Sequence, residues 1–565
     1  MKSKKVLALL VTAVVTFTTI FSGCGNKKGP DTPKTGIDKE QVLNYCFISD
    51  VRSLDPSIND DTYGGMILTD TTEALTRVEQ DEKGNDVIKP AGAEKWEVSP
   101  DGLTYTFHLR NFNWEDGKKV TSKDYAYSLM RTLEPATAAT YVQLIDMIKG
   151  AAAYNGGTGK KEDVGITTPD DNTLVITLDK PTPYFMNLTY FTLFMPQRQD
   201  MVEKNAKNYG ADAGTLLSCG PFKLKEWVHD SKIVLEKNEN YYDKDKVKLN
   251  TVNIKVIKEE EAEMQELYNG GLDMANVTKQ DWKEKFKALG TLDLIENIEP
   301  STSYFHFNQT ATINGVKLFS NAKVRRAFSA ALDRQQIVDM INDGAAVSAT
   351  GWVPFRLQLN GEEFRKASGF EPVTKLLEEI KDPKAYLIEG LKELNADPDP
   401  SKYNVYYIVG NTSALGKKNA EVYQQMLQKA LGVTISIDTV ESKVKRDRIK
   451  ALDYELSNLA WIGDYNDPST FMNMWYTTRP NYKTGWANKK YDELMDKASA
   501  TSDQKQRLEF FKEAEKLLVY EDAAIAPTVF NKHSEFQYKY VKGVMRPTFG
   551  SICELKYAYI EGKEK

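Results

Sequence analysis

A chain of 565 residues is too long for a single hydrophobic core and predicts two or three domains. Its 74 Lys and Arg against 80 Asp and Glu give a formal net charge of −6, well mixed, which argues against nucleic acid and against a polybasic membrane patch as partners. Aromatic residues make up 11%, with 29 Tyr among them, as suits polar-tipped rings facing a wet cavity or interface.

Lys2, Lys4 and Lys5 precede an apolar run over residues 6–21, and Ser22-Gly23 lead to Cys24. This order predicts a secretory signal peptide over residues 1–23; the run is shorter than the roughly 20 residues a spanning helix needs. Cys24 after Ser-Gly resembles a bacterial lipobox, in which the thiol carries a lipid, although Phe21 stands where Leu is usual. Cleavage there removes those three lysines and no acid, so the net charge goes from −6 to −9. Residues 24–37 are polar and rich in Gly, Pro and Lys, as a flexible tether should be. The lipid would hold the protein at the outer face of the cell membrane (that of a Gram-positive bacterium) while the fold stays in water. Cys46, Cys219 and Cys553 are too few for a disulfide framework; one bridge is open, and its pair is not fixed.

Strand and helix patterns then mix throughout, with no repeat of fixed period. "NYCFISDV" (44–51) reads as a buried strand, followed by the turn-forming "SLDPSINDD". "GLTYTFHLR" (102–110) alternates Leu103, Tyr105, Phe107 and Leu109 on one face; "NTVNIKVI" (250–257) and "VTISIDTV" (433–440) alternate similarly. The stretch 320–342 sets Val324, Phe328, Ala331 and Leu332 on one helical stripe behind a cap at Ser320 or Asn321. "AEVYQQMLQKALG" ends on Gly432, a left-handed stop, and residues 503–522 form another amphipathic helix. Together these predict an α/β architecture of more than one lobe.

Local catalytic signals are missing. His108, His229, His306 and His533 are too far apart in sequence for a paired-His zinc motif. "GNTSALG" (410–416) has the wrong spacing for a nucleophile elbow. "YNGGTGKKED" has Tyr154 and Lys161 where a phosphate loop needs Gly and Ser or Thr. In "WIGDYNDPSTF" (461–471), Asp464 and Asp467 fail the calcium-loop pattern at Pro468 and Ser469. Two carboxylates three apart in one loop do not flank a sugar either. An enzyme is disfavoured, and no cofactor is predicted.

Four stretches in order resemble the peptide-type extracellular solute-binding proteins of ABC importers: residues 93–135, 219–243, 321–334 and 461–471. The resemblance spans about residue 43 to the C-terminus. It implies a two-lobed α/β fold of the periplasmic-binding-protein type in three domains, closing by a hinge. The first domain would comprise 38–70, 202–304 and 533–565, the second 71–201, and the third 305–532.

The resemblance also implies a site. Asp464 would meet a peptide's α-ammonium, while Ala460, Ile462 and Gly463 pair with its main chain as an added strand. Asp60, Asp61 and Thr62 would form the facing edge, Tyr141 a cleft tyrosine and Trp461 the wall of a side-chain pocket. Tyr304 falls near the hinge as core or cleft. From the residues alone, Asp464 as a turn cap, Trp461 as core and Asp60–Asp61 as a solvated loop stay open, and Asp467 before Pro468 reads as a turn residue. Some family members carry a basic residue three positions before the motif Trp; here that position is Asn458, so the residue that reads a peptide's carboxylate is unplaced. The implied protein is a monomeric, lipid-anchored receptor that hands oligopeptides to a membrane permease. A peptide-pheromone receptor, or a same-fold binder of an oligosaccharide or metal chelate, is the alternative.

Overall fold

Alternating apolar side chains build the first sheet. Leu43, Tyr45 and Phe47 are buried along the strand Val42–Phe47, which pairs in parallel with Thr251–Val256. Lys232–Lys237 and Phe222–Val228 extend this sheet to four strands. The predicted strand at 44–51 stops at Phe47, where Ile48 turns 54% exposed and the Asp50 carboxylate accepts the Val51 N–H. The computed structural model describes residues 36–81, 84–359, 361–477 and 483–563. The expected signal peptide, the lipid site at Cys24 and nearly all of the tether lie outside the described residues.

A second four-stranded sheet centres on Thr104–Leu109, whose Tyr105, Phe107 and Leu109 are buried as the alternation predicts. A third sheet holds two unusually long strands, Leu292–Phe307 and Ile525–Tyr538, paired antiparallel. Leu456–Ile462, Asn404–Val409 and Thr434–Thr439 continue it on one side, Met274–Asn276 on the other.

The long pair runs through three apolar clusters, with Leu292 and Phe536 in one, Phe305 and Val529 in another, and Tyr304 and Ile525 in the last. Its register shifts between Ile298 and Thr302 and again between Ser303 and Tyr304. Pro300 sits in the first break and Pro527 at the second. A proline cannot donate to a ladder, so the strands bulge and bend there. One apolar core gathers Leu43, Val202, Phe222, Val252 and Ile560 from three distant parts of the chain. Another draws its side chains almost wholly from residues 75–219, and a third from residues 305–529.

The helical stretch at 320–342 is two helices rather than one, Ala322–Ala330 and Arg334–Ile341. Asn321 caps the first by accepting the Val324 N–H at 3.2 Å. Asp333 starts the second by accepting from Gln336, and buried Arg334 donates to the Ser329, Leu332 and Pro527 carbonyls at 2.9–3.2 Å. The bond to Ser329 brings a donor to a carbonyl in the last turn of the first helix. Ala414–Leu431 ends as predicted at Gly432, φ +77°. Gln504–Glu515 continues into a wide π-helical turn over Lys516–Glu521. Cys46, Cys219 and Cys553 are all unbridged.

Candidate functional site

The strand Leu456–Ile462 is only half covered. One edge pairs along its whole length with Ser301–Phe307. On the other edge, Asn404–Val409 reaches only Leu456 and Ser457. From Asn458 onward that edge has no neighbouring strand among the described residues. Ala460 is exposed there and Ile462 is 60% exposed. Such an edge offers its main-chain donors and acceptors to an added strand.

The loop beyond this edge is pinned. The Gly463 N–H donates to the Pro300 carbonyl at 2.8 Å. A Cβ at Gly463 would come within 2.8 Å of the Phe471 ring, so a side chain is excluded by close packing. The Asp464 N–H donates to Thr470 Oγ1 at 2.9 Å, and Trp461 Nε1 to the Thr470 carbonyl at 3.1 Å. Asp467 accepts two bonds from Arg507, at 2.8 and 2.9 Å, and one from the Ser469 N–H. Both partners of that ion pair are buried. Tyr465 stacks on Tyr184 at 4.6 Å, and Asn187 Nδ2 donates to the Asn466 carbonyl at 2.6 Å, tying the loop to the second sheet's lobe. Asp467 therefore combines the predicted turn role with an ion pair that the sequence did not signal. The turn role open to Asp464 is taken by Asp467.

Asp464 lines a cavity of about 300 Å³ between the lobes, together with Asp60, Asp61, Thr62, Tyr141, Ile462 and Gly463. Its carboxylate accepts no hydrogen bond and meets no cation among the described residues, and burial pushes it up to about 6. The Tyr141 phenol is raised by burial and further by the Asp464 and Asp60 charges, and its ring packs edge-on against Phe191. The arrangement sets one carboxylate, Asp464, without a counter-ion among the described residues at the end of a free strand edge. A desolvated carboxylate of this kind favours a guest that brings its own positive charge.

The facing residues also have local structural work. Asp61 caps the helix Thr62–Thr71 by accepting the Gly64 N–H at 2.8 Å. Asp60 approaches the exposed Arg52 at 3.6 Å. Ala460 and Trp461 do not line the cavity: Ala460 lies on the exposed edge before it, and Trp461 packs half-buried against an aromatic cluster. Tyr304 is fully buried in that cluster, 4.7 Å from the Trp352 ring and 5.9 Å from Trp475, which puts it in the core rather than at the cavity.

Several lining residues carried no sequence signal. Residues 546–552 line it from the far C-terminus, and Glu299, His533 and Arg356 line it as well. Arg546 is already committed to Glu535 and to Gln537 Oε1. None of these positions stands in a motif; folding alone brings them together. Among the described residues no group of three or more His, Cys, Asp or Glu could hold a metal.

The model of the bacterial extracellular solute-binding proteins, family 5 (middle), matches residues 87–483. The chain belongs to that family. Two relatives from Bacillus subtilis are similar over nearly their whole length. The oligopeptide-binding protein OppA is 32% identical, covering 96% of this chain and 97% of its own. The dipeptide-binding protein DppE is 34% identical, covering 94% of each. The solved structure of Listeria monocytogenes OppA bound to peptide superposes with a TM-score of 0.72 at 31% identity, covering 93% of this chain and all of that one. The α/β two-lobed binding-protein fold expected from the sequence is therefore the fold of this family 5 chain.

Proposed function

We propose that the protein captures oligopeptides outside the cell by their main chain and terminal amine and passes them to an ABC permease. One observation carries the reading: Asp464 is a desolvated carboxylate with no cation of its own, set where a free strand edge enters the cavity between the lobes. A peptide supplies what both features lack, an ammonium for Asp464 and donors and acceptors for the edge. Side chains then need only loose accommodation, which water filling the cavity provides. The peptides in the relatives' names agree with this chemistry.

The same reading includes a lipid on Cys24 that keeps a monomeric receptor at the cell surface. Three domains complete it, the first assembled from residues 38–70, 202–304 and 533–565. Its support is the core that joins Leu43, Phe222 and Ile560. The test is calorimetric titration with a peptide and its N-acetylated form: acetylation weakens binding at least tenfold. Equal affinity for the two would overturn the role of Asp464.

A further inference from the structure

At the far end of the same free edge stands a buried lysine with no acid beside it. Lys445, on the helix Ser442–Lys450, is 8% exposed, and among the described residues no carboxylate pairs with it. Its ammonium donates to the Asn458 carbonyl at 2.6 Å and reaches Asn458 Oδ1 at 3.5 Å. The stem passes over Gly410, where a Cβ would come within 2.7 Å of Lys445 Cδ, so the site is built around this side chain. Lys445, Arg446, Ser442 and Asn458 share a cavity of about 470 Å³. Burial without a counter-ion pulls the ammonium down to about 8.

The backbone geometry relates this cation to Asp464. Asn458 turns its carbonyl toward the unpaired edge, since that carbonyl meets Lys445 rather than the neighbouring strand. By strand alternation Ala460 and Ile462 present their donors and acceptors on the same edge. Gly463, of the opposite parity, donates back to Pro300. The open edge is thus bounded by an unpaired cation at one end and an unpaired carboxylate at the other. Six residues at about 3.3 Å each put these ends roughly 20 Å apart.

We propose that Lys445 receives the terminal carboxylate of a guest whose amine sits on Asp464, so that the edge between them selects free peptides of about five residues in extended form. The guest runs antiparallel to Leu456–Ile462, amine toward Gly463 and carboxylate toward Asn458. This rests on the peptide reading above and adds to it the reader of the second charge and the length. It also answers the sequence's missing basic residue at Asn458: the charge arrives from a different helix and lies against that position.

The test is titration of alanine peptides of three to eight residues, each as free acid and as C-terminal amide, on the full chain and on Lys445→Met. The unaltered protein binds the acid of about five residues best, and amidation weakens that binding at least tenfold. In Lys445→Met the acid and amide bind alike, while N-acetylation still weakens both. The amide series on the unaltered protein decides the matter even if the variant fails to fold. Equal binding of acid and amide by the unaltered protein overturns the role of Lys445 and leaves the amine reading standing. Failure of every peptide, capped or free, overturns the peptide reading and this inference with it.

Discussion

Asp464→Asn separates what the site costs the empty protein from what it does for a guest. Burial lifts this carboxyl from 3.8 to about 6, roughly two pH units, each equivalent to about 1.36 kcal/mol. Partial exposure at the cavity rim lets water recover some of that, so holding the charge costs the empty fold about 1–3 kcal/mol at pH 7. Because the folded value is raised, the wild type loses this stability as pH climbs from 3.8 through about 6. Asn has the same shape and no charge. The empty variant is therefore the more stable protein at pH 7, and the difference vanishes below about pH 4. Affinity moves the other way: losing the partner of a desolvated ammonium costs about 2–5 kcal/mol, roughly 30-fold or more. The wild type's affinity also falls about tenfold between pH 7 and pH 5 as the carboxyl takes up a proton, and the variant's does not. Urea unfolding at pH 7 and pH 4, paired with peptide titration, measures both. An empty variant less stable than the wild type would mean the carboxylate holds the loop together. Unchanged affinity would mean that no ammonium meets it.

Asp467→Asn leaves Arg507 buried without its counter-charge and lowers unfolding free energy by about 3–5 kcal/mol; a loss below about 1 kcal/mol in urea titration would show the pair to be dispensable. Cys24→Ala abolishes labelled palmitate incorporation and moves the protein from the membrane fraction into the medium. Continued labelling would place the lipid elsewhere.

Much of the architecture was legible because it is written in short-range patterns. Tyr105, Phe107 and Leu109 alternate in sequence and share a buried face, and Gly432 stops a helix with the left-handed backbone its position suggested. The break between Ala330 and Arg334 was not legible, because it depends on Arg334 finding a carbonyl on Pro527, nearly two hundred residues away. The site divides in the same way. Asp464, Ile462 and Gly463 come from one motif, and Asp60, Asp61, Thr62 and Tyr141 meet them at the cavity. Trp461 and Tyr304 carried equal aromatic signal, yet both lie away from the Asp464 cavity: Tyr304 is fully buried in an aromatic cluster, and Trp461 packs against that same cluster. Lys445 left no sequence trace: its meaning comes from a neighbouring strand that ends two residues into its pairing. A lysine in a charged helix reads as surface until the fold buries it.

The proposed capture of peptides depends on a guest's amine resting against one carboxylate. A crystal structure with a bound peptide tests this most directly. It should show the α-ammonium within about 3 Å of an Asp464 oxygen, with the peptide hydrogen-bonded to Ala460 and Ile462. A bound guest whose amine lies elsewhere, with the Asp464 side chain turned into bulk water, would contradict it.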